Sequence, residues 1–75
     1  MESNAESDFL DKVAKRLAQL RRSKNLTQEQ LAAKSGLDRV AIANIETGVR
    51  RPTVTTIYRL TQSMGVTAED IFRGL

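Results

Sequence analysis

The sequence predicts an all-α domain built from five short helices. Apolar residues recur at helical spacing along most of the chain. Four of the apolar stretches open on a side chain suited to capping a helix (Thr27, Asp38, Thr53, Thr67), and three close on a glycine (Gly36, Gly48, Gly65). No stretch shows the sustained period-two alternation of a half-buried strand.

The first helix is expected over residues 8–23. Phe9, Val13, Leu17 and Leu20, with Leu10 and Ala14, line one face, and Lys12, Lys15, Arg16 and Arg22 line the other. Residues 1–7 are polar and read as a frayed, flexible acidic leader, leaving residues 8–75 as the folded domain. Asn25, which tolerates left-handed backbone, marks the break. Thr27 and Gln30 then form a capping box for a helix over residues 28–35, with Leu31 and Ala32 inward. Gly36 ends it. A third helix follows Leu37, with Asp38 at its N-cap and an end near residue 46 or 47; Ile42 and Ile45 face inward. Gly48 suits the position after its C-terminus, and Pro52 holds the next segment as a loop. Thr53 caps a helix over residues 54–64, with Ile57, Leu60 and Met64 inward. Thr67, with Asp70 three residues on, caps a last short helix fed by Val66, Ile71, Phe72 and Leu75.

At 75 residues the chain makes one small domain. It has no cysteine and no histidine, which removes disulfides, zinc fingers, thiol catalysis and the commonest general base. It holds no phosphate-binding loop and no paired-acid motif, so the reading is not an enzyme, with no cofactor and no metal. No apolar run reaches the ~20 residues of a membrane span, and acids stand where a signal peptide needs bases, so a cytoplasmic protein is expected. All twelve Lys and Arg but only five of the nine Asp and Glu fall in residues 12–75. That stretch therefore carries +7, against −4 for the first eleven residues. A basic body points to an anionic partner, nucleic acid first.

The informative centre is TQEQLAAKSGLDRVAIANIETG. Small Ala32 lies where the second and third helices cross, and Gly36 supplies the positive φ of a sharp turn. Leu31, Leu37, Ile42 and Ile45 fill the wedge behind them. Such a unit holds its helices at about 90–120° and projects the second as a probe.

On these residues, with RRPT after the third helix and MGVTAEDIF at the end, the chain resembles the lambda-repressor-like helix-turn-helix regulators, also called the xenobiotic-response-element family. The ordered set of motifs spans residues 9–75. Ser35, where an apolar residue is common, and Thr55 and Thr56, in place of better helix formers, depart from the pattern without unsettling it.

The resemblance implies a homodimer that sets the third helix in the major groove of a near-palindromic operator. Base reading then falls to Asp38, Arg39, Val40 and Asn44. Arg39 is the best reader, because a guanidinium matches guanine O6 and N7 with two bonds. Val40 suits a thymine methyl, and Asn44 an adenine or a phosphate. For Asp38 two readings stand, an N-cap or a partner for cytosine or Arg39. Phosphate binding falls to Gln28, Thr27 through its backbone amide, Arg50, Arg51 and Thr53, with Lys34 and Arg22 behind them; a plain solvated loop is the other reading of Arg50 and Arg51. Arg21 and Glu46 match a structural ion pair of the family. Val66, Ile71, Phe72 and Leu75 are expected at the dimer interface, or else they complete the core. The LDR run at residues 37–39 and the Arg50-Arg51 pair make the chain especially similar to the controller proteins of restriction–modification systems, with RNA polymerase an open further partner. A protein-interaction module of antitoxin or coactivator type is the rival reading.

Overall fold

Residues 4–75 are described by a computed structural model, and among them every regular element is an α-helix: α1 (Ala5–Ser23), α2 (Gln28–Ser35), α3 (Arg39–Glu46), α4 (Val54–Met64) and α5 (Ala68–Phe72). The boundaries of α2, α3 and α4 agree with the sequence expectation. That of α1 does not: the helix begins at Ala5, not at residue 8. Asn4 takes extended backbone and its side chain accepts the Ser7 amide at 3.2 Å, while Glu6 and Asp8 sit in the first turn, where acids favour the helix dipole. Part of the expected leader is therefore helix, and residues 1–3 lie outside the described residues.

Caps set the other ends. At the end of α1 the Asn25 amide donates to Arg22 O and the Leu26 amide to Arg21 O, with Asn25 at φ +57°, the left-handed stop the sequence suggested. Both Thr-led capping boxes form. In α2 the Gln30 amide donates to Thr27 Oγ1 and the Thr27 amide to Gln30 Oε1; Thr67 and Asp70 repeat the arrangement in α5. Gly36 adopts φ +76° between α2 and α3, the conformation the sharp turn demands. Ser35 is buried there: its hydroxyl donates to Ala32 O and accepts the Leu37 amide, so a polar side chain at an apolar position is used to hold the turn.

One core joins all five helices. Val13, Leu17, Leu20, Leu31, Ile42, Ile45, Leu60, Met64 and Ile71 form a single buried cluster, with Leu26, Ala32, Leu37, Ile57 and Val66 at its rim. Full burial of a side chain such as Ile42 or Leu60 contributes about 1.5–3 kcal/mol each. α3 is packed between α1 and α2, α4 closes on α2, and α5 bridges α1 and α4. Arg16 is not a solvated base: its Nε donates to Asp70 O at 2.9 Å, clipping α5 to α1.

Phe9 departs from expectation. Its spacing places it on the apolar face, yet it is 44% exposed and stacks on Phe72, with ring centroids 6.3 Å apart and planes 5° from parallel. Among the described residues the buried cluster starts at Val13, and the turn before it meets α5 only at this exposed stack.

Candidate nucleic-acid interface

The third helix is held from behind and bare in front. Ile42 and Ile45 are 1% exposed and anchor it in the core. Asp38, Arg39 and Val40 are exposed at its start, and Asn44 is half-buried one turn on. Among the described residues Arg39 makes no hydrogen bond or ion pair, so its guanidinium is free to take a ligand. Asp38 has the extended backbone of an N-cap but makes no side-chain cap bond, which leaves its carboxylate available.

What orients this helix is a buried polar knot at its C-terminal end. Arg21 Nε donates to Glu46 Oε2 at 2.7 Å and Arg21 Nη2 to Glu46 Oε1 at 3.0 Å, the two-pronged geometry a guanidinium offers a carboxylate. The third nitrogen, Nη1, donates to Leu26 O at 2.8 Å. Gln28 Nε2 adds a bond to Glu46 Oε1 at 3.0 Å. The side chains of Arg21 and Glu46 are only 10% and 7% exposed. The knot ties the end of α1, the turn after it, the start of α2 and the end of α3 into one body.

Four of the expected phosphate ligands have other engagements here. The side-chain amide of Gln28 faces Glu46, a contact its position in the sequence does not reveal. The backbone amide of Thr27, the donor the sequence offered, is taken by Gln30 in the capping box; the Thr27 hydroxyl hydrogen remains, but the amide does not. The Thr53 hydroxyl accepts the Thr56 amide at 3.1 Å and bonds Thr56 Oγ1 at 3.0 Å, so it caps α4, whose first turn carries no acid. Arg50 and Arg51 are exposed on the loop between α3 and α4. That loop is shaped by backbone bonds: the Gly48 amide donates to Ile45 O and the Arg50 amide to Asn44 O. Arg51 Nη2 also reaches Ser7 Oγ at 3.3 Å, joining the loop to α1. Lys34 and Arg22 are exposed.

The residues expected at a dimer interface divide. Ile71 is 0% exposed and belongs to the core of one chain, so it is removed from that group. Val66 is partly buried at the core's rim. Phe72, 41% exposed, stacks on Phe9 at the α1–α5 edge, and Leu75 beyond it is 37% exposed. The sequence could not separate these residues, because which of the adjacent Ile71 and Phe72 is covered depends on how α5 docks. Asp70 is held below its ordinary value of 3.8, first by the Thr67 backbone and then by the Thr67 hydroxyl, with Arg73 and Arg16 adding to the effect.

No helix among the described residues is long and apolar enough to cross a membrane. Comparison with known proteins matches the geometry. The helix-turn-helix family model matches residues 17–71, the stretch from mid-α1 to α5. An HTH-type transcriptional regulator, y4dJ of Sinorhizobium fredii, is 43% identical over 64 residues, covering 85% of this chain and 83% of that protein. The crystal structure of the restriction–modification controller protein C.AhdI from Aeromonas hydrophila superposes with a TM-score of 0.80 at 35% identity, covering 87% of this chain and 97% of that one. The controller protein C.Esp1396I, solved as a tetramer in complex with its natural 35-base-pair operator, gives a TM-score of 0.79 at 34% identity, covering 85% and 84%. With the turn at Gly36, the bare start of α3 and the brace behind it all in place, the chain belongs to the helix-turn-helix family of transcriptional regulators.

Proposed function

We propose that this protein is a sequence-specific double-stranded DNA-binding regulator that acts as a homodimer on a near-palindromic operator, and that it is the controller of a restriction–modification system. The observation that carries the proposal is the pairing of a rigid back with a free front on α3. Glu46 is locked by Arg21 and Gln28, while Arg39, Val40 and Asp38 stand unengaged at the other end of the helix. A major groove about 12 Å wide admits a helix presented in this way, and its base edges carry a distinguishable donor–acceptor code.

In this reading Arg39 takes a guanine edge, Val40 a thymine methyl and Asn44 an adenine or a neighbouring phosphate. Asp38, free of a capping bond, accepts from cytosine or steadies Arg39. Arg50, Arg51 and the first turn of α4 at Thr53 hold the backbone; the hydroxyl of Thr27 and the remaining amide hydrogen of Gln28 add to this at α2. Phe72 and Leu75, with Phe9, form the surface between the two copies, and half-sites then lie about one turn apart, ~34–36 Å. The assembled C.Esp1396I on its operator supports this arrangement by likeness. Occupancy then follows protein concentration through dimerisation.

The test is random-site selection with purified protein, followed by a salt titration on the selected duplex. The expected result is one enriched near-palindrome and a steep fall in affinity with salt. No duplex binding at low salt would favour the protein-interaction module, for which the exposed Val49, Val54 and Tyr58 are the supporting surface.

A further inference from the structure

The acidic start of the chain is not a detached tail. The first half of α1 is packed against the loop that carries Arg50 and Arg51. Ser7 Oγ accepts from Arg51 Nη2 at 3.3 Å. One turn further, Asp11 lines the same cleft as Arg50 and Arg51. The approach is close: Gly48 sits at φ +83°, and a Cβ there would lie 3.1 Å from Asp11 Oδ1. Glycine at that position therefore answers two demands, left-handed backbone and room for the carboxylate.

Asp11 itself is exposed, and among the described residues it makes no hydrogen bond or ion pair. Lys15, four residues on along α1, does not pair with it. An unpaired carboxylate thus stands beside two arginines whose proposed partners are phosphates.

We propose that Asp11 is a positioning residue for the Arg50–Arg51 loop: its carboxylate competes with DNA phosphate for these guanidinium groups and sets how much sequence-independent affinity the loop supplies. The proposal rests on the reading of that loop as a backbone clamp. Phosphate contacts release counterions and dominate non-specific binding, so an internal anion that occupies part of an arginine's charge lowers both the affinity and the salt slope. It does so for operator and non-operator duplexes alike, because neither Arg50 nor Arg51 reads bases. Fewer molecules are then held on the genome's excess of wrong sites, and the contacts of α3 decide occupancy.

The experiment measures operator and random-duplex affinity across a salt series for wild type, D11N, D11E, R51A and D11N combined with R50A and R51A. D11N is expected to tighten both duplexes by the same factor, roughly twofold to fivefold for one exposed charge, and to steepen the salt slope. D11E should keep the wild-type slope, and the gain should vanish in the triple variant. Equal melting temperatures of wild type and D11N separate this from a packing effect. D11N binding with the wild-type affinity and slope, while R51A binds weakly, overturns the role of Asp11 and leaves the clamp standing. R51A binding as wild type overturns the clamp, and the role of Asp11 with it.

Discussion

Arg21 grips Glu46 through two nitrogens, at 2.7 and 3.0 Å, from 25 residues away in the chain, and the pair is almost out of water. Desolvation offsets much of the attraction in such a pair, so its net contribution to stability is small, but removing one partner strands the other charge. Glu46→Ala is expected to cost about 3–5 kcal/mol and to lower the melting temperature well below that of Arg39→Ala, whose side chain is exposed and unengaged. Glu46→Gln, which keeps the shape and loses the charge, should fall between them. Thermal unfolding followed by circular dichroism checks the order; equal melting temperatures for Glu46→Ala and Arg39→Ala would remove Arg21 and Glu46 from the role of brace.

Arg39 and Arg51 should fail in different ways. Arg39→Ala is expected to cost about 1–3 kcal/mol of operator binding and to relax preference at a single base pair, whereas Arg51→Ala weakens every sequence alike and flattens the salt dependence. Site selection repeated with each variant distinguishes them. An unchanged preference in Arg39→Ala would take base reading away from the start of α3.

Adjacent Ile71 and Phe72 offer a matched pair of substitutions. Ile71 fills the core at 0% exposure, so Ile71→Ala should destabilise the single chain by about 2–5 kcal/mol. Phe72 is 41% exposed and stacks on Phe9, so Phe72→Ala should leave the helix content intact and weaken self-association. Sedimentation at several concentrations reads this directly. A dimer unaffected by Phe72→Ala and by Leu75→Ala together would place the interface elsewhere.

The second capping box gives the fold an acid limit. Asp70 has a lowered folded-state value because its ionised carboxylate accepts the Thr67 amide and hydroxyl-side contacts, with Arg73 and Arg16 nearby. A depressed carboxylate contributes stability that is complete above its unfolded value near 3.8 and is lost as pH falls through the lower folded value. The melting-temperature gap between wild type and Asp70→Asn is therefore expected to be constant from pH 7 to about pH 5 and to close below about pH 4. A gap that persisted unchanged at pH 3 would show that the loss is one of packing.

Most of the local structure is legible along the chain. The helix ends follow from Thr27 and Gln30, Asn25, Gly36, Thr53, and Thr67 with Asp70, because caps act over three or four residues and carry their partners with them. The helical period of Val13, Leu17, Leu20, Ile42, Ile45, Leu60 and Met64 is likewise enough to place them inward. The basic balance points to an anionic partner and the turn at Gly36 to a projecting helix, while the resemblance to the helix-turn-helix regulators is what implies a role for the start of α3. The tertiary structure decided what depends on which helix covers which. Phe9 shares the period of the core yet lies outside it, stacked on Phe72 at the exposed edge where α5 meets α1. Ile71 is core and Phe72 surface because the docking of α5 on α1 and α4 turns one inward and leaves the other at the edge. Gln28 turns to Glu46, and Ser7 and Asp11 meet the Arg50–Arg51 loop, across separations of eighteen to more than forty residues. No periodicity records such distances; they exist only once the helices have docked and brought the charges of α1 beside the loop that follows α3.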